Sequence, residues 1–372
     1  MTATTGTTPA AEATPPSTTL ADILAGSRVL VTCGPGGVGK TTCAAALGIA
    51  AAETGRRVVV MTVDPARRLA DALGIDVDAK MYEPHEVVGI GSRGGALFAL
   101  MLDAETTFDR MIVERAGDAA KADKILANPV YRSIAGSLAG AQDYMAIERL
   151  HQLHDSGEYD LLIIDTPPSR DAIDLLEAPD RLVRFLGHPI YRALTMPSRS
   201  FARVANAGTS AFVWVVRRLA GPRLVEDTIE FFRSLSGMEQ GLRQRAAEVA
   251  ELLRADSSVF VMVSSPRAEA VHESVHLANA VIDGGFGLDS VVINLVHPLP
   301  PPLIDMPPIA DGPLADHIAY HRDLTALATS EREQMAALIA VADGAPVTEV
   351  PLLEVDVHDL DGLGRLAELL VR

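Results

Sequence analysis

The chain has 372 residues, 48% of them hydrophobic, which is enough to close a core in one large domain or two modest ones. Its 49 acidic residues against 32 Lys and Arg leave a net charge of −17, a balance that repels phosphate backbones and anionic lipid and so argues against nucleic acid as a partner. The two cysteines, Cys33 and Cys43, form no CxxC pair, and no segment is apolar enough to span a bilayer, so neither a disulfide framework, a thiolate zinc site nor a membrane anchor is encoded and a cytoplasmic location is expected.

In chain order, residues 1–24 read as a disordered leader of Thr, Ala and Pro, and 25–372 as a single domain. Short apolar runs then alternate with helical patterns: 28–33, 57–63, 97–102, 159–165, 258–265, 290–296 and 347–353. Continuous apolar strands separated by helices are buried on both faces, which predicts an α/β fold with a mostly parallel sheet flanked by helices. Two stretches, about 103–157 and 180–253, have helical spacing and no strand, so an inserted α-helical subdomain is expected there. The proline-dense segment 297–313 is expected to be an exposed loop.

The run CGPGGVGKTT, Cys33 to Thr42, satisfies G-x-x-x-x-G-K-[ST] between a strand and a helix. Gly34, Gly36, Gly37, Val38 and Gly39 turn backbone N–H groups toward a polyphosphate at a helix N-terminus. Lys40 reaches the β- and γ-phosphates, the Thr41 hydroxyl ligates Mg²⁺, and Thr42 completes the cradle. ATP and Mg²⁺ are the implied ligands.

Phosphoryl transfer also needs a metal-shell carboxylate and a positioned water, both expected at the ends of later parallel strands. Asp165, ending LLIID, fits the metal-shell position, and Asp64, ending the second strand, fits the group that orients water and approaches the metal. For each the competing reading is a helix N-cap.

With GPGGVGKTT, VDPARRLADALG and IIDTPPSRDAIDLL in hand, the chain resembles the family of the arsenical-pump ATPase ArsA and the guided-entry ATPase that targets tail-anchored proteins. These belong to the deviant Walker A class of SIMIBI-type P-loop ATPases. The resemblance implies Mg²⁺-dependent ATP hydrolysis in a dimer whose closure handles an apolar client helix or membrane partner. It makes Asp64 the hydrolytic residue of the first switch and places Asp165, Thr166, Pro167 and Pro168 in the second. It puts the base against Asn294, Pro351 and Leu352, which on spacing alone read equally as a polar strand end and a strand-terminating proline. The zinc-binding and arsenite-binding cysteines of some members have no counterpart here.

The class also carries a lysine directly after the first glycine, which acts in the facing subunit. Here that residue is Pro35, which offers neither cation nor N–H. Lys40, Thr41, Asp64 and Asp165 are nevertheless present, as in some actinobacterial members that occur as two adjacent paralogues of which one lacks the lysine. The expectation is therefore a heterodimer with a lysine-bearing paralogue rather than a slow homodimer, with a nearly inactive regulatory or scaffold subunit as the alternative.

Three further features are weighed. HESVH, His272 to His276, has metallopeptidase spacing without a third ligand and reads as a solvated helix face, as do His317 and His321. The contiguous run Phe212 to Val216 is either internal helix packing or part of a client groove. The tail LDGLGRLAELLVR reads as the last helix of the domain rather than a membrane helix.

Overall fold

The computed structural model describes residues 18–63, 68–75, 83–132, 139–188, 222–234, 238–303 and 312–372. Each of the seven apolar runs forms a strand: β1 (Val29–Cys33), β2 (Arg57–Thr62), β4 (Ala96–Met101), β5 (Leu161–Asp165), β6 (Ser258–Ser264), β7 (Ser290–Val296) and β8 (Val347–Pro351). An eighth, β3 (His85–Glu86), has two exposed residues and runs antiparallel to β4. The order across the single sheet is β3-β4-β2-β5-β1-β6-β7-β8, with every other pairing parallel. Strands β1, β5 and β6 are buried at every position because helices cover both faces of the sheet.

On one face lie α1 (Leu20–Gly26), α2 (Lys40–Glu53), α3 (Arg68–Ala72) and α12 (Leu360–Leu370). Helix α2 carries Ala44, Ala45, Ala46, Gly48, Ala51 and Ala52 where it meets the sheet. A Cβ on Gly48 would approach Val60 Cγ2 to 2.6 Å, so small side chains are what let this helix sit close to β2. The tail helix α12 buries Leu363, Leu366, Ala367 and Leu370 in the same layer, as expected for a packed terminal helix.

The opposite face is covered by α6 (Ala139–Ser156), α7 (Ser169–Gly187), α9 (Glu239–Arg254), α10 (Ala268–Asp283) and α11 (Pro313–Val341). Together with α4 (Ala104–Arg115), α5 (Ala119–Leu126) and α8 (Pro222–Ser234), helices of this side enclose a separate apolar cluster built on Met111, Ile112, Ile125, Tyr131 and Phe231. The described parts of 103–157 and 180–253 contain no strand.

One boundary needs correction. The leader expected through residue 24 stops earlier, because Thr19 and Asp22 form a reciprocal capping box and α1 begins at Leu20, with Leu20 and Leu24 buried. Residues 1–17, the apolar run 212–216 and residues 304–311 of the proline-dense loop lie outside the described residues. Among the described residues, no helix is long and apolar enough to cross a membrane.

Candidate functional site

The loop from Gly34 to Gly39 joins β1 to α2 in the middle of the sheet, where the C-terminal ends of β2, β5, β6 and β7 gather around it. Its glycines are demanded by close approach. A Cβ on Gly34 would stand 2.0 Å from the Val263 carbonyl oxygen of β6. Gly39 is the N-cap of α2 in the left-handed region, φ 89°, and a Cβ there would meet Asn294 Nδ2 at 2.5 Å. The exposed N–H groups of α2 and its dipole make this end of the helix a place for an anion.

Lys40 is 8% exposed and donates from Nζ to the carbonyl oxygens of Gly34 (3.0 Å) and Pro35 (2.7 Å), so the ammonium is folded against the loop it serves. Thr41 donates from Oγ1 to Asp165 Oδ2 at 2.6 Å, and Thr62 at the end of β2 donates to the same oxygen at 3.0 Å. The register explains this meeting, since Thr32 of β1 and Thr62 of β2 are both level with Asp165 of β5. Asp165 is 1% exposed. It is not a helix cap: α7 begins at Ser169 with Pro168 at its N-cap and no side-chain cap bond. Thr166 donates its hydroxyl to Thr32 O at 2.7 Å, pinning the chain as it leaves β5.

A cleft of about 280 Å³ opens over these groups, bordered by Gly36, Gly37, Lys40, Thr41, Asp165 and Arg68 among others. The donors fit a magnesium ion, because a hydroxyl and a carboxylate are hard oxygen ligands and the open cleft leaves room for the waters and phosphate oxygens that complete an octahedron. When bound, such an ion would draw charge from the phosphate oxygens.

The residues chosen from sequence divide into four groups. Gly36, Gly37, Gly39, Lys40, Thr41, Thr42 and Asp165 come together around the cleft. Gly34 and Val38 form its support, and Asn294, 7% exposed, donates from Nδ2 to Val38 O at 2.9 Å. That geometry follows from a bulge in β7, where the pairing with β8 shifts between Ile293 and Val296 and Leu295 takes φ 64°. Pro351 and Leu352 stand beside this bulge at the end of β8, with Leu352 N donating to Val296 O at 2.8 Å, and do not border the cleft. Asp64 lies outside the described residues.

Sequence reasoning missed Thr62, whose role depends on strand register, and Arg68, although it follows directly on the DPAR run. His272, Glu273 and His276 are exposed on α10, and among the described residues no three His, Cys, Asp or Glu side chains converge as a metal site. Burial pushes the thiols of both Cys33 and Cys43 up to about 12, which keeps them protonated at neutral pH.

The model of the anion-transporting ATPase family matches residues 27–302. ATPase GET3B of Arabidopsis thaliana is 24% identical over 355 residues, covering 88% of this chain and 74% of that protein. ATPase GET3 of Malassezia globosa is 26% identical over 341 residues, covering 91% and 89%. ATPase ASNA1 homolog 1 of Paramecium tetraurelia is 22% identical over 341 residues, covering 91% of each.

Proposed function

The chain belongs to the anion-transporting ATPase family, and on that premise we propose that it is a Mg²⁺-dependent ATP hydrolase whose turnover drives a change of dimer conformation. The observation that supports this best is the joining of Thr41 and Asp165 at 2.6 Å next to Lys40, a metal-binding pair beside a phosphate cation in one cleft. In this reading the loop N–H groups and Lys40 hold the phosphates, Thr41 and Asp165 hold the metal shell, and Asp64 orients the attacking water. Asn294, Pro351 and Leu352 flank the base. Asn294 donates one amide hydrogen to Val38, leaving Oδ1 and its second N–H for the base.

Pro35 supports a further element of the proposal. This subunit has no lysine to lend, so it works opposite a paralogue that has one, in the cytoplasm, and the assembled dimer receives an apolar client helix or a membrane protein. Hydrolysis by the purified chain, with and without such a paralogue, tests this. Turnover that rises on mixing and is abolished by Asp64→Asn supports it, whereas brisk turnover alone removes the heterodimer. Unchanged turnover of the mixture with Asp64→Asn supports a second reading, a nucleotide-holding regulatory subunit, which Pro35 also favours.

A further inference from the structure

Arg68 is the first residue of α3 and borders the cleft that also holds Lys40, Thr41 and Asp165. Its place on the backbone is fixed by the residues that follow, since Leu69 and Ala70 are fully buried in the layer beneath α2. The side chain is exposed and has no hydrogen-bond or ion-pair partner among the described residues. This sets it apart from Arg110, Arg149, Arg181, Arg245 and Arg254, each of which holds a carboxylate. In a chain of net charge −17, a guanidinium with no carboxylate partner among the described residues that stands beside the Gly34–Gly39 loop is placed for an anion.

We infer that Arg68 supplies, from the same subunit, a second cation to the terminal phosphate in this chain's own cleft. The inference rests on the ATPase reading above. In hydrolysis the water oxygen bonds to the γ-phosphorus while the bond from that phosphorus to the β,γ-bridging oxygen breaks. The bonding pair leaves on ADP, and the water proton passes to the released phosphate. Negative charge spreads over the γ-oxygens during this exchange. A planar, permanently charged guanidinium can take two of those oxygens at once, which an ammonium cannot. Lys40, held against Gly34 and Pro35, covers the loop side of the phosphates, and Arg68 reaches them from α3.

The test uses the whole chain with MgADP, alone and with aluminium fluoride as a mimic of the transferring phosphoryl group, and reads affinity through a fluorescent nucleotide. Arg68→Ala is expected to leave MgADP affinity within about two-fold and to weaken the ADP–aluminium fluoride complex by on the order of 10²–10³-fold. Arg68→Lys should fall between, because it keeps the charge and loses the fork. An Arg68→Ala chain that binds the mimic as tightly as the unchanged protein overturns the inference. So does an unchanged protein that binds MgADP but gains nothing from aluminium fluoride. An unchanged protein that binds no magnesium nucleotide at all removes the ATPase reading itself, and the inference with it. Because Arg68 is exposed, thermal unfolding of both variants should match the unchanged protein.

Discussion

The Thr41 hydroxyl donates to the Asp165 carboxylate across 2.6 Å although 124 residues separate them in sequence. Parallel pairing of β1, β2 and β5 brings the end of each strand to one level, and Asp165 is held there by a second hydroxyl from Thr62. The carboxylate is thus pre-aimed by two hydroxyls, the arrangement that the proposed metal-shell role requires.

Asp165→Asn keeps the shape and the hydroxyl contacts while removing that charge. Nucleotide affinity measured by calorimetry should lose most of its gain from Mg²⁺, a drop of at least about ten-fold in the presence of the metal. Affinity measured in EDTA should change little. Equal losses with and without the metal would mean that Asp165 supports the loop rather than the ion.

Two glycines of the loop should differ in their sensitivity. Gly34→Ala drives a Cβ against the backbone carbonyl of Val263, which cannot move without disturbing β6, and should cost about 3 kcal/mol of stability. Gly39→Ala meets the Asn294 side chain, which can turn, so its cost is mainly the left-handed backbone, about 1–2 kcal/mol. Asn294→Ala removes one hydrogen bond, about 1 kcal/mol, and should show more in nucleotide affinity than in melting temperature. Denaturant titration of the three variants gives the ranking directly.

Glu148 on α6 is fully buried, 0% exposed, with Arg115 of α4 at 3.5 Å and Arg245 of α9 at 3.4 Å. Arg245 has Asp155 and Glu248 to fall back on, but Arg115 has no other ion pair among the described residues. Glu148→Leu therefore leaves a mostly buried guanidinium uncompensated and should destabilise by about 3–5 kcal/mol in urea unfolding. Glu148→Gln, which keeps an acceptor, should cost distinctly less.

The same network makes an acid-sensitive contact. Burial, and then the Arg245 guanidinium 2.9 Å from its ring nitrogen, hold His151 below its ordinary value of 6.5, against the opposing pull of Asp155, Glu148 and Glu248. Above pH 6.5 the imidazole is neutral in both the folded and unfolded chain, and it adds no slope. As pH falls below that value the unfolded chain takes up a proton that the folded chain resists, so this contribution to stability is lost as pH falls through the folded-state value. Melting temperature followed from neutral pH downward should fall less steeply in His151→Gln. Parallel curves would assign the acid sensitivity to other groups.

What could be read from the sequence was whatever is local. The glycine loop, the apolar strands and Asp165 each announce themselves within about ten residues, because strand burial and phosphate binding both impose short-range patterns. The missed features depend on distant partners. Asn294 braces Val38 only because β7 bulges at Leu295, and Glu148 gathers Arg115 and Arg245 only once three helices pack. The two residues of β3 are too few and too polar to carry a strand pattern. The early start of α1 was legible, since Thr19 and Asp22 spell a capping box, but the low-complexity composition before it masked the signal.

Both borders of the sheet are poor templates for another chain. On one side β3 offers two residues, His85 and Glu86, and reverses direction. On the other, β8 ends in Pro351, which has no N–H, and its Glu349 is tied to Arg332 of α11. Short, charged and proline-ended borders resist strand addition. The second subunit proposed above would therefore engage side chains on loops and helices rather than extend the ladder of backbone bonds. In that proposal the two subunits could come apart and re-form without any strand leaving the sheet, as a nucleotide-driven cycle would require.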